Sequence, residues 1–285
     1  MPDVAAAATL LGTSIGGCRL HRLLEPGAQA ALYAGLDELE GHGARAIKLL
    51  ALAPGASAGE RAEAARHFEL ESRALLRLAH PGVVRCHRAG VQDGIAYLVM
   101  ELLPGCDLRR YTHPQRLLPP AQVIRIGVEV AQALAHVHSH GVVHRDLKPA
   151  NVMVDWPTRR VVVTDFGVAR LADAQRTTTG VTLGTPAYMA PELLAGGQAT
   201  AAVDLYALGL LLFELLTGQL PFRAEALGEL LRQVAQQPAP NLDERVDGLP
   251  PGLGPLIAAL LQKSPAARPP DAATVARTLA DQCHA

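Results

Sequence analysis

The sequence predicts an α+β protein in two lobes, a small β-rich lobe with one helix followed by a larger α-helical lobe. Three observations predict it. From Arg19 to Met100, short apolar or alternating runs are bounded by glycine and proline, the pattern of strands. After Pro104-Gly105 the runs lengthen and apolar residues recur every three or four positions, the pattern of helices. The chain has 285 residues, 49% of them hydrophobic, enough to bury the core of one large domain or two packed lobes.

Residues 1–17 are small and dotted with glycine and read as a flexible N-terminal tail. They contain no Lys or Arg, so they lack the positive n-region of an export signal. Strands are expected around Leu20, Leu23-Leu24, Ala31 to Tyr33, Arg45 to Leu50, Val83 to Cys86 and Ile95 to Met100. One helix interrupts them, Glu60 to Leu78, with Ala64, Phe68, Leu75 and Leu78 at helical spacing and His80-Pro81-Gly82 as its stop. This gives a lobe over 18–103. The second lobe, 104–285, opens with the amphipathic stretch Ala121 to His140, entered by Pro119-Pro120. Val203 to Leu216 is apolar nearly all round, which marks a helix at the centre of a lobe. Asp204 and Glu214 leave it short of the roughly 18 uncharged residues a membrane span needs. Leu227 to Gln237, Leu253 to Gln262 and Asp271 to Cys283 complete the helices, and a cleft between lobes is the expected ligand site.

Twenty-six Lys and Arg against 27 Asp and Glu leave a net charge of -1, with no basic excess for nucleic acid or a membrane surface. Cys18, Cys86, Cys106 and Cys283 are scattered without a C-x-x-C pair, so neither a zinc site nor a disulfide framework is indicated. A soluble, cytoplasmic protein with reduced thiols is expected.

The sharpest signal is His144-Arg145-Asp146-Leu147-Lys148-Pro149-Ala150-Asn151, which fits H-R-D-L-x-x-x-N at every fixed position. Asp165-Phe166-Gly167 follows the apolar run Val161 to Thr164, and Ala190-Pro191-Glu192 closes a threonine-rich segment. Upstream, Arg45-Ala46-Ile47-Lys48 reads as V-A-I-K with Arg in its first position. Each tripeptide alone is weak; four elements in this order are not. His136, His138, His140 and His144 also catch the eye. The helix must end near Gly141 and His144 belongs to the loop, so they do not make a preoriented metal-ligand set.

On these motifs the chain resembles the eukaryotic-like (Hanks-type) serine/threonine protein kinases over about 18–280, and its Ala-rich, compact sequence resembles the bacterial branch. The resemblance implies the bilobal protein kinase fold and transfer of the ATP γ-phosphate to Ser or Thr hydroxyls of proteins. Such a transfer relies on positioning and charge stabilisation. Asp146 would take or orient the substrate hydroxyl proton. Asn151 and Asp165 would hold Mg²⁺ (or Mn²⁺) as hard oxygen ligands. Lys48 would hold the α- and β-phosphates, and Lys148 would reach the transferred phosphate. The carboxylate that fixes Lys48 must come from the helix over Glu60 to Leu78. Glu69 and Glu71 are the candidates; counted back from the His80-Pro81 end, the family pattern favours Glu71, and Leu75 and Leu78 at i+4 and i+7 put apolar packing on the same face.

The phosphate-covering turn departs from the family's G-x-G-x-x-G-x-V. The stretch Glu25-Pro26-Gly27-Ala28-Gln29-Ala30-Ala31-Leu32 keeps only Gly27, so weaker ATP affinity is expected. The resemblance puts the adenine between Leu24, Leu32, Ala46 and Met153, with Met100 as gatekeeper, backbone groups of Glu101 and Leu103 facing the base and Asp107 near the ribose. Thr177, Thr178, Thr179 and Thr182 are the expected phosphoacceptors of an activation loop, with Arg145 as the cation to meet a phosphate. A threonine-rich loop without modification is the alternative. Thr185 is expected beside Asp146 and Lys148. Glu192 with Arg268 resembles the family's buried ion pair, and Asp204 the acid that opens its central helix, where Tyr206 replaces the usual Trp.

Protein substrates are therefore expected as partners, with a homodimer for autophosphorylation in trans, and neither nucleic acid nor membrane. No sensor or anchor follows Asp281, so input is expected through the lobes, the tail or another protein. The competing reading is a pseudokinase, a nucleotide-binding scaffold, suggested by the degraded glycine turn. Retention of Lys48, Asp146 and Asp165 speaks against it. A small-molecule phosphotransferase is opposed by Lys148-Pro149 and Ala190-Pro191-Glu192.

Overall fold

The computed structural model describes residues 10–27, 30–51, 57–166 and 186–282. The chain divides into two compact units, the first reaching Pro104 and the second running from Gly105 to Phe166 and on from Thr182.

The first unit is an antiparallel sheet with one helix. Its strands are β1 (Ser14–Ile15), β2 (Cys18–Glu25), β3 (Ala30–Asp37), β4 (Ala44–Ala51), β5 (Cys86–Gln92) and β6 (Ile95–Glu101), in the spatial order β1-β2-β3-β4-β6-β5. Register slips at Leu20/Arg22, Leu23/Glu25 and Cys86/Arg88 add twist where they occur. Alternation sends Tyr33, Ile47, Leu49 and Val99 to one face, where they join Ile15, Cys18 and Leu20 in a buried core. Residues Leu10 to Gly17, read as part of the tail, carry strand β1 and bury Ile15. The strand expected over Val83 to Cys86 starts at its last residue instead and runs on to Gln92. Val83 and Val84 are buried just after the Pro81-Gly82 turn, where Val83 makes a single β-bridge, so the apolar run marks burial more than continuous strand pairing.

Helix α1 (Ala58–Arg77) starts two residues earlier than its apolar pattern. Ser57 and Glu60 form a capping box: the Glu60 N–H donates to Ser57 Oγ at 3.4 Å and the Ser57 N–H to Glu60 Oε2 at 2.7 Å. Phe68, Ser72 and Leu75 form its buried stripe.

Asp37 ends β3 fully buried. It accepts the Arg88 Nη2 bond at 2.8 Å and the amides of Leu39 and Glu40 at 3.1 Å each, with Arg45 Nε 3.3 Å away. Burial by itself would raise its pKa. The Arg88 hydrogen bond, the two amides and the Arg88 charge outweigh that and hold it at about 2, below the usual 3.8. Because the folded value is depressed, this stabilisation is complete above about pH 4 and is lost as pH falls from there toward 2. Thermal melts of the wild type should therefore steepen in their pH dependence over that window, and Asp37→Asn should flatten it. An unchanged profile would show that the pair contributes nothing.

The second unit is helical with a three-stranded sheet of order β7-β8-β9: β7 (Cys106–Asp107), β8 (Val152–Asp155) and β9 (Arg160–Val163). Helix α2 (Pro120–Ser139) begins on a proline, whose missing N–H costs nothing at that position. A short turn, α3 (Pro191–Leu194), precedes α4 (Ala201–Thr217), which is buried at 13 of its 17 positions, as its all-round apolar sequence requires. Helices α5 (Leu227–Gln236), α6 (Leu253–Leu260) and α7 (Ala272–Gln282) follow.

Candidate active site

The second unit builds its site around a single buried carboxylate. Asp204, in the first turn of α4, is fully buried and accepts three hydrogen bonds of 2.8 Å: the His144 N–H and His138 Nε2 at Oδ2, and the Arg145 N–H at Oδ1. Two consecutive amides clamped to one rigid helix fix the loop just before Asp146. His144 extends the clamp. Its Nε2 lies 2.7 Å from the Thr164 carbonyl, which can only accept, so Nε2 carries the hydrogen and Nδ1 takes the Asp146 N–H at 3.2 Å. The His144 ring also packs on Phe166, centroids 4.8 Å apart. One imidazole thus joins the loop at Asp146 to the segment at Asp165. Arg145 and Asp165 hold positive φ angles of 66° and 58°, strained for residues with side chains and sustained by these bonds.

Asp146, Lys148 and Asn151 sit on that frame. Lys148 Nζ donates to Asp146 Oδ2 at 2.7 Å, and Asn151 Nδ2 donates to the same oxygen at 3.1 Å and to the Asp146 carbonyl at 2.8 Å. The Thr164 N–H binds the Asn151 carbonyl at 2.8 Å, tying Asp165's segment to the loop a second time. With Nδ2 spent on Asp146, the oxygen left to Asn151 is Oδ1. That oxygen and the Asp165 carboxylate are hard donors of the kind a divalent cation takes, so the residue types present fit such an ion.

In the first unit, residues paired across antiparallel strands share a face. Lys48 pairs with Leu32 and Leu98, and Ala46 pairs with Ala34 and Met100. Leu32, Ala46, Lys48 and Met100 therefore stand together on the face opposite the Tyr33 and Ile47 core. Leu24 lies near the end of β2. Glu71 lies three residues after buried Phe68 and four before buried Leu75, at the edge of the buried stripe of α1, and both it and Glu69 are exposed. The retained Gly27 has a steric reason, since a Cβ there would come within 2.2 Å of the Ala30 carbonyl oxygen. The Glu101 N–H is bonded to the Arg85 carbonyl at 2.9 Å, and Leu103 follows in the strand's exit.

Met153 stands on β8, paired with Asp107 and Val162. Asp107 is engaged within its own unit. It caps the turn Leu108–Tyr111 through the Arg109 N–H and takes a forked bond from the Arg109 guanidinium at 2.7 and 3.1 Å. Thr177, Thr178, Thr179, Thr182 and Thr185 lie outside the described residues, as does Gly167. Sequence reasoning missed His138. It set the residue among four histidines, while the structure turns it to Asp204 and stacks His136 on His140 at 4.3 Å. It also missed Tyr188, whose hydroxyl donates to the half-buried Glu214; desolvation raises both groups' pKa values.

Glu192 and Arg268 form a bidentate pair with N–O distances of 2.6 and 2.8 Å, and the guanidinium lies 4.9 Å from the centroid of the Tyr206 ring. The Tyr206 hydroxyl is buried with no hydrogen-bond partner among the described residues. Tyr206→Phe should accordingly be neutral or stabilising by about 1 kcal/mol in a denaturant melt, because it removes an unsatisfied polar group. A loss of similar size would mean that the hydroxyl is bonded.

A β-rich unit with a lysine strand, followed by a helical unit carrying a clamped Asp-Lys-Asn loop, defines a protein kinase domain. The chain belongs to the eukaryotic-like serine/threonine branch of that family as bacteria carry it. The family described as "Protein kinase domain" matches residues 27–279. "Probable serine/threonine-protein kinase pknA2" of Bifidobacterium longum is 34% identical over 267 residues, covering 93% of this chain and 35% of that protein. "Serine/threonine-protein kinase PkaA" of Streptomyces coelicolor is 41% identical over 212 residues, 73% of this chain and 38% of that protein. The chain thus spans little more than a third of the length of these relatives. The crystal structure of Rad53 1-466 in complex with AMP-PNP superposes with a TM-score of 0.73 at 25% identity, covering 91% of this chain and 64% of that one. The fold is the bilobal protein kinase fold. Members of the family use ATP and a divalent cation and act on proteins. Among the described residues, no helix is long and apolar enough to cross a membrane.

Proposed function

We propose that the chain is an active serine/threonine protein kinase, transferring the ATP γ-phosphate to Ser or Thr hydroxyls. The observation that carries this reading is the convergence of Lys148 and Asn151 on one oxygen of Asp146. The arrangement leaves the other carboxylate oxygen to orient an incoming hydroxyl and receive its proton. Lys148, held 2.7 Å from the base, brings a positive charge to where the transferred phosphoryl group gathers negative charge. Asn151 and Asp165 would hold Mg²⁺ or Mn²⁺, which neutralises the triphosphate when bound. Lys48, on the face shared with Ala46 and Met100, would hold the α- and β-phosphates, with Glu71 to orient it. Leu24, Leu32, Ala46, Met100 and Met153 would enclose the adenine, Glu101 and Leu103 would meet its edge, and Gly27 would let the turn approach the phosphates. Asp107, which already holds the Arg109 fork, would reach a ribose hydroxyl with its remaining acceptor capacity.

Phosphorylation at Thr177, Thr178, Thr179 or Thr182 would pair with Arg145, and a homodimer would let one copy modify the other. Retention of the whole acid and lysine set favours turnover over a pseudokinase role. The need for ATP and the unpaired spacing of the cysteines support a cytoplasmic place.

The test is transfer of labelled phosphate from ATP to a generic basic protein, with Mg²⁺, with Mn²⁺ and with chelator. Metal-dependent labelling of serine or threonine is expected. A chain that binds nucleotide but labels neither acceptor nor itself would overturn the reading in favour of the scaffold.

A further inference from the structure

Strands β1 and β5 stand at opposite ends of the six-stranded order, yet the segment at β1 touches both ends. On its own side, the Gly12 N–H donates to the Leu20 carbonyl at 2.7 Å, the Leu20 N–H to Thr13 at 2.9 Å and the Glu38 N–H to Gly17 at 2.8 Å. On the far side, the Gln92 side chain acts like a neighbouring strand. Its Oε1 accepts the Gly16 N–H at 3.1 Å and its Nε2 donates to the Ser14 carbonyl at 3.1 Å. Arg88 Nε donates to the Gly16 carbonyl at 3.1 Å while its Nη2 is anchored on buried Asp37 at 2.8 Å.

Apolar contacts follow the same path. Ile15 is buried against Tyr33, Ile47, Leu49 and Val99, and Leu10 packs on the same cluster. Gly16, at φ 59°, lies so close to the Tyr97 ring of β6 that a Cβ would come within 2.5 Å of it. The pair Gly16-Gly17 is therefore required by close approach as well as by conformation.

We infer that Leu10–Gly17 is a strap that closes the curled sheet on itself, and that Gln92 and Arg88 are the hands by which β5 grips it. The strap precedes the region matched by the family, which starts at residue 27. It bears on β5 and β6, the strand pair whose end carries Met100 and Glu101. Its polar hold on β5 comes from one amide and one guanidinium, so release of the strap is a local opening that leaves the helical unit intact.

Hydrogen exchange on the full chain tests this. In the wild type, the Gly12, Gly16 and Leu20 amides should be protected. In Gln92→Ala they should exchange about tenfold faster, the loss expected from removing one such pair of bonds, with the α4 amides unchanged. Gly16→Ala, which strains the positive φ and crowds the Tyr97 ring, should do the same with Gln92 and Arg88 still in place. Free exchange of the three amides in the wild type, or protection undiminished in both variants, would overturn the inference.

Discussion

Asp146→Asn should lower phosphate transfer by about 10²–10⁴-fold, the range for removing a positioned general base, while the protein stays folded. The substitution is nearly isosteric. Its carbonyl oxygen can still accept from Lys148 and Asn151, which now meet at 2.7 and 3.1 Å. The Asp146 N–H keeps its bond to His144, and the Asp204 clamp on His144 and Arg145 is untouched. The thermal midpoint should therefore move little and nucleotide binding should persist, so the loss falls on turnover rather than KM. Lys48→Met should also abolish transfer, but with weakened nucleotide binding. The two variants separate a chemical defect from a binding defect. Transfer at the wild-type rate by Asp146→Asn would end the assignment of this residue as the base.

Much of this was legible because the relevant signals are local. The loop from His144 to Asn151 is contiguous, and the helices announce themselves by period, so their bounds shifted by at most a few residues: Val203 to Leu216 became Ala201–Thr217. What escaped depends on contacts between distant residues. Nothing near Asp204 shows that residues 60 and 59 positions earlier will place two amides on it. Strand β5 was misplaced because its sequence, Cys86–Gln92, mixes polar and apolar residues, and two of its polar side chains, Arg88 and Gln92, are spent on the N-terminal segment 72 to 78 residues away. The same segment read as a tail because its small residues look unstructured. Of these, Gly16 and Gly17 are small because Tyr97 and Leu39 leave no room for a Cβ. The glycine turn shows the converse, where a motif has decayed yet the one glycine kept is the one the backbone cannot replace.

Arg268→Ala should be the most destabilising single substitution in the second unit, costing about 3–5 kcal/mol because it strands a carboxylate that has lost its partner. The Arg268 side chain is fully shielded from solvent, and Glu192 nearly so. Beyond Glu192, the guanidinium donates to the carbonyls of Ala202 at 2.8 Å, Gln262 at 2.9 Å and Lys263 at 3.1 Å. It therefore fastens α3, the start of α4 and the segment after α6 with one planar group. For a domain of this size each kcal/mol corresponds to about 2–4 °C, so the midpoint should fall by roughly 10 °C. Arg268→Lys should recover only part of the loss, since an ammonium keeps the charge but cannot reproduce the fork or the stack on Tyr206. Glu192→Ala with Arg268→Ala should cost clearly less than the sum of the two single changes, because the second removal relieves a group already orphaned. Additive costs in that double-mutant cycle, or a midpoint for Arg268→Ala within a degree or two of wild type, would mean that the three elements are held by their apolar contacts and the ion pair is incidental.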